Sequence, residues 1–142
     1  MNLTSSNGMD SLIGKRVPNA RIACNNDATG LREMTKGFPY LLLFTGKRPS
    51  IEMAQSTYDL YDSMLTDYRT MVKTTIVTDL VPMRLKDREI VLDLDGTLYE
   101  VFSVGDHPLL VLIDKHQSIR CISDQISVEQ VALMLSEHSD IM

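Results

Sequence analysis

Pro39-Tyr-Leu-Leu-Leu-Phe-Thr-Gly-Lys-Arg-Pro-Ser50 limits the folds open to this chain more than any other stretch. Leu41, Leu42, Leu43 and Phe44 are apolar at successive positions, not at alternate ones. Side chains along a strand point to opposite faces in turn, so this run has to be covered on both, as central strands of an α/β sheet are. The run stops at a Gly/Pro-punctuated turn, Thr45 to Ser50, and opens into a long amphipathic segment. There Ile51, Ala54, Tyr58, Tyr61, Leu65 and Tyr68 keep the i, i+3, i+4 rhythm, with Asp59, Asp62 and Asp67 between them, which predicts a helix. Ser50 or Arg48-Pro49 marks its start, because Ser caps well and Pro suits a first turn. Val72 to Val77 is β-rich and reads as a second, parallel strand reached by a right-handed crossover.

Around this unit the chain reads as a single domain over 12–142, preceded by a loose polar tail over 1–11. Gly14 to Ile22 is an extended lead-in with a short edge strand, since Pro18 lacks the donor a central strand needs. Asn25-Asn26-Asp27 and Thr29-Gly30 are turn chemistry, and Leu31 to Met34 is one helical turn. After a polar connection over 81–89, Ile90 to Gly96 is short and ambiguous. Thr97 to Phe102 then reads as a helical turn with Leu98, Val101 and Phe102 inward. Leu109 to Asp114 is a second fully apolar strand, expected antiparallel to the first two, and a tight connection leads to a strand over Ser118 to Ile122. Ser127 and Gln130 form a capping box for a last helix with the stripe Val128, Val131, Ala132 and Leu135.

Composition excludes several classes. A net charge of −5 and no Lys/Arg cluster argue against nucleic acid. The longest apolar run, Leu109 to Ile113, is far short of a membrane span, and the N-terminal residues lack the charged and apolar regions of a secretory signal, so a cytoplasmic protein is expected. Cys24 and Cys121 form no Cys-x-x-Cys pair, and with His107, His116 and His138 they show no metal-ligand spacing; no metal and no cofactor is expected.

The element order β, α, β, connection, β-hairpin, α is that of a thioredoxin-like fold, a mixed central sheet flanked by helices on both faces. In such folds the redox cysteines sit at the first strand-to-helix turn, and Thr45 to Ser50 contains none. A thiolate activated by the helix N-terminus is therefore missing where that chemistry needs one. Of the two thiols, Cys24, read in a loop beside Asn25-Asn26-Asp27, is the better candidate for reactivity. Lys47, Arg48 and Ser50 at the helix start are the candidate ligand-binding residues, since exposed N–H groups there favour anions.

Ile90-Val-Leu-Asp93-Leu94-Asp95-Gly96-Thr97 resembles the first motif of haloacid-dehalogenase-type phosphatases, where two aspartates meet a Mg²⁺. In that family the motif opens the fold. Here it lies far along the chain, and no acidic pair follows it. Asp93 and Asp95 are thus expected to be structural, with phosphatase activity an alternative.

Over nearly the whole ordered chain the sequence is similar to the C-terminal thioredoxin-like domain of FAD-dependent aromatic, phenol hydroxylase-type monooxygenases. The resemblance rests on Gly14-Lys15-Arg16-Val17-Pro18, on Gly37-Phe38 before the apolar strand, on Asp93-Leu94-Asp95-Gly96, and on Tyr99 to Val104. Ser103 stands in place of that family's glycine, and Leu112 to His116 replaces its Arg-Pro-Asp-Gly hairpin. His107-Pro108 is closer to the redoxin branch, in which that proline is often cis. The resemblance implies a redox-inactive accessory, dimerisation or interaction domain whose partner is a protein, a second copy or a flavin monooxygenase. The alternative is a small enzyme, either a single-cysteine thioredoxin- or peroxiredoxin-like protein, with Cys24 the better candidate thiol, or the phosphatase using Asp93 and Asp95. Met53, Leu60 and Met64 widen the apolar band of the 51–68 helix, read either as broad burial or as an interface.

Overall fold

Two strands are buried at every position, as their unbroken apolar runs require: β3 (Tyr40–Phe44) and β6 (Leu109–Ile113). They are neighbours and antiparallel, with Leu43 opposite Leu110, and β4 (Lys73–Thr78) lies parallel on the other side of β3. The computed structural model describes residues 11–24, 27–47, 50–67, 72–79 and 90–141. Around the central trio stand β1 (Arg21–Cys24), β2 (Asp27–Gly30), β5 (Ile90–Asp93) and β7 (Ile119–Ser123), giving one seven-stranded mixed sheet in the order β2-β1-β5-β4-β3-β6-β7.

Helices α2 (Ile51–Asp67) and α4 (Val128–Glu137) cover one face. Leu60, Tyr61 and Met64 of α2 and Val131, Met134 and Leu135 of α4 share a core with Leu41, Leu43, Leu110 and Leu112. Ser127 caps α4 by accepting from the Gln130 amide at 3.1 Å, the expected capping contact. The other face is covered by the single-turn helices α1 (Leu31–Met34) and α3 (Thr97–Val101) and by connecting chain. Val17, Ala20, Leu31, Leu98, Tyr99, Phe102 and Val104 pack there on Leu42, Phe44, Val77 and Val111.

The lead-in crosses that second face. It first runs beside β7, where the Gly14 amide donates to Ile119 O at 2.7 Å and the Ile119 amide donates to Lys15 O at 2.8 Å. It then passes beneath the sheet through buried Val17 and Ala20 to reach β1. At the β6–β7 turn Gln117 has φ of 70° and is buried. Its side-chain amide donates to Arg32 O and, at 2.9 Å, to Thr35 Oγ1, and its oxygen accepts from Arg16 Nη2 at 2.8 Å. Asp114 closes the same turn by accepting from the amides of His116 and Ser118.

Several expectations are corrected. The first strand is not an edge: β1 pairs with both β2 and β5, and Pro18 lies before it. The Asp27–Gly30 stretch, read as a turn, is the edge strand β2, because a sheet edge asks for backbone pairing on one side only and accepts small residues. The ambiguous Ile90 stretch is β5, parallel to β4. The buried stripe of α2 is Thr57, Leu60, Tyr61 and Met64, while Leu65 is 38% exposed, so the helix is rotated from the predicted stripe. Leu60 and Met64 are core and offer no interface. Arg48, Tyr68, the side chain of Met53, Asn25-Asn26, the 1–10 tail and the 81–89 connection lie outside the described residues.

Candidate functional site

The carboxyl ends of β3, β4 and β5 point the same way, and in open α/β sheets that edge is where ligands and chemistry gather. Here it carries the Thr45-Gly46-Lys47 turn. Thr45 is fully buried, and its amide donates to Val77 O at 3.1 Å, fastening the turn to β4. Gly46 has φ of 87°, and a Cβ built on it would stand 2.8 Å from Asp106 O. Any side chain there would displace the backbone opposite, so glycine is required twice over. The Lys47 amide donates to Gly105 O at 2.7 Å, which ties the turn to the 105–108 loop. That loop presents exposed His107 and half-buried Pro108, and among the described residues no peptide bond is cis.

Below the turn lies a hydroxyl cluster that the sequence reading missed. The Tyr99 hydroxyl donates to Val77 O at 3.2 Å and stands 3.2 Å from Thr45 Oγ1, which in turn reaches Thr78 Oγ1 at 3.4 Å. The Tyr99 ring packs edge-on to Phe44, with centroids 5.5 Å apart. Burial, helped by the nearby charges of Asp79 and Asp93, pushes its phenol up to about 12, so the hydroxyl is a donor throughout the neutral range.

Asp93 and Asp95 each receive an amide of α3, while Asp93 Oδ1 is buried with no hydrogen-bond partner among the described residues. Asp93 Oδ2 accepts from the Tyr99 amide at 3.0 Å, and Asp95 Oδ1 accepts from the Thr97 amide at 3.1 Å. Burial raises the Asp93 carboxyl above the usual range, with the charges of Asp95 and Asp79 acting the same way. The hydrogen bonds from Thr97 lower exposed Asp95. Both aspartates thus hold amides at the start of a helical turn. Among the described residues no group of three or more His, Cys, Asp or Glu side chains is arranged to hold a metal ion.

The other candidates are scattered. Lys47 and Ser50 are exposed, and the Ser50 carbonyl accepts from Ala54, which places it at the helix start as expected. Cys24 is the last residue of β1, not a loop residue; it is half-buried against the Val77–Val91 side of the sheet. Cys121 lies in β7 against the opposite core, where burial, and then Glu137, pushes its thiol up.

This architecture recurs in solved structures. A putative thiol-disulfide oxidoreductase from Bacteroides vulgatus superimposes with a TM-score of 0.71 at 13% identity, over 92% of this chain and 97% of that one. This chain has a thioredoxin-like fold. The exposed lipoprotein thioredoxin of Streptococcus pneumoniae follows at 0.67 and 14%, over 84% and 99% of the two chains. A thiol peroxidase from Chromobacterium violaceum matches at 0.63 and 12%, over 89% and 87%. No protein-family model and no curated protein sequence matches the chain. Among the described residues no helix is long and apolar enough to cross a membrane.

Proposed function

We propose that this thioredoxin-like domain is redox-inactive and serves as an accessory or interaction domain. The observation that carries the reading is the position of the thiols. The turn at the end of β3 has none, and Cys24 and Cys121 sit in β1 and β7 with β5, β4, β3 and β6 between them. Five strand spacings of about 4.8 Å put them on the order of 24 Å apart. They also belong to cores on opposite faces, far beyond the reach of a disulfide. What occupies the turn's underside is a set of hydroxyls fastened to backbone carbonyls, an arrangement suited to holding the turn in place.

Kinship with the C-terminal domain of phenol hydroxylase-type monooxygenases is the finer proposal. In its favour, Ser103, which stands where that family has glycine, has φ of 51°, a backbone conformation that glycine serves most easily. The alternative, a single-cysteine thiol enzyme, draws on the thiol oxidoreductases that share the fold and would use half-buried Cys24. One assay separates the two readings. The purified protein should reduce insulin disulfides and consume peroxide no faster than free cysteine; robust turnover abolished by Cys24→Ser would overturn the proposal.

A further inference from the structure

At the carboxyl ends of β4 and β5 two carboxyl groups stand side by side with no donor between them. The strands pair in parallel through Val77 opposite Val91 and Thr78 opposite Leu92, and one step further the same register sets Asp79 beside Asp93. Val77 and Val91 belong to the core under α3, and side chains alternate along a strand, so both aspartates fall on that face too. Asp93 is 4% exposed; the Tyr99 amide meets its Oδ2, and nothing among the described residues meets its Oδ1. Asp79 Oδ1 is buried and unpartnered in the same way. Neither aspartate forms an ion pair among the described residues.

Two ionised carboxylates placed like this are buried like charges, each with an acceptor left empty. One proton removes both faults, because the protonated oxygen donates and the other accepts. The neighbouring elements bring no cation to do so instead. Tyr99 faces the pair from α3 as a neutral phenol, Asp95 adds negative charge from the turn after β5, and Cys24 of β1 lies one pair down beside Val91. Arg21 of β1 is exposed and acts on Asp95, and Lys47 is exposed on the turn after β3. We propose that Asp79 and Asp93 share one proton, and that its release to water loosens the edge to which the Thr45–Lys47 turn is fastened. Val77 O, two residues before Asp79, accepts from both the Thr45 amide and the Tyr99 hydroxyl, so repulsion at the ends of β4 and β5 reaches the turn directly. The sign agrees. Burial, with the charges of Asp95 and Asp79, favours protonated Asp93, so the stabilisation is complete at low pH and is lost as pH rises past the raised folded value. This device is independent of whether the domain turns over thiols.

The test is a carbon-13 titration of the aspartate carboxyls in the full chain, from about pH 3 to about pH 8. Asp79 and Asp93 should titrate as one system, each carbon reporting two steps, the upper one above the usual carboxylate range. In Asp79→Asn the new side-chain amide donates to Asp93, and the upper step should vanish; Asp95→Asn should leave both steps in place. Across the upper step the Thr45 amide, corrected for its intrinsic exchange rate, should exchange at least about five-fold faster in the parent and hold constant in Asp79→Asn. Carboxyls that each titrate in one step, or two steps that survive Asp79→Asn, would overturn the shared proton. Thr45 exchange that stays flat across the upper step would overturn the loosening. Mg²⁺ or Ca²⁺ that slows this exchange in the parent and not in Asp79→Asn would overturn the proposal in favour of a bound cation. Should Asp79→Asn fail to fold, Asp93→Asn removes the same shared proton, and the Asp79 carbon should then show a single step.

Discussion

On one face of the sheet, α2 and α4 lay Leu60, Met64, Val131 and Leu135 over Leu41, Leu43, Leu110 and Leu112, two long helices on four leucines. On the other, α1 and α3 are single turns, and much of the covering is done by connecting chain at Val17, Ala20 and Val104. That chain is pinned by particular polar side chains: Gln117 with Arg16 and Arg32, Asp93 with the Tyr99 amide, and the Tyr99 hydroxyl with Val77. The first face relies on shape and area and should fail through lost volume. The second relies on a few buried hydrogen bonds and should fail one bond at a time.

The largest expected effect is on the helical face. Leu112→Ala empties a fully buried position between sheet and helices and should cost about 2–5 kcal/mol in urea unfolding. Should this substitution cost less than the polar ones below, the contrast between the faces collapses. Next comes Gln117→Ala, which keeps the positive φ and strips the side-chain bonds to Arg16, Arg32 and Thr35; about 1–3 kcal/mol should be lost. A Gln117→Ala protein as stable as the parent would show the second face to be held by burial after all.

Tyr99→Phe should cost about 1 kcal/mol, since the ring remains against Phe44 and only the hydroxyl bonds go. The same residue sets a pH window. Its folded pKa, about 12, lies above its ordinary value of 10, so its contribution is complete below pH 10 and is lost as pH rises toward 12. Ultraviolet titration should find one tyrosine lagging the others, and the Tyr99→Phe protein should lack that laggard.

Asp93→Asn should have the smallest effect, within about 0.5 kcal/mol at neutral pH, because the amide oxygen still accepts from Tyr99. Burial raises the folded carboxyl above 3.8, so the parent is favoured most below that value and loses this advantage as pH rises. The Asn protein should therefore gain on the parent as pH rises above 3.8. A relative stability that stays flat above that value would mean that Asp93 feels little desolvation.

The same contrast explains what could be read from the chain. β3 and β6, covered on both faces, and α2 and α4 are built from runs and periodicities, and those patterns are local, so they were visible in Leu41–Phe44, Leu109–Ile113 and the Ser127–Gln130 cap. Only the rotation of α2 escaped, because Tyr58 and Leu65 are as apolar on paper as Leu60 and Met64. The β1–β2 hairpin was hidden because Asp27-Ala-Thr-Gly30 has turn residues and owes its strand to its neighbour. The hydroxyl cluster joins Thr45 to Tyr99 across 54 positions, and no spacing rule spans that distance. Missing cysteines were legible at once; what holds the turn in their place was not.

The β6–β7 hairpin receives the chain from both directions. Residues 14–17 pair along β7, while the Lys115 amide donates to Ile141 O and Arg120 reaches Asp140 at 2.6 Å. A pull applied between Gly14 and Ile141 would therefore load this one corner and pass the rest of the sheet by.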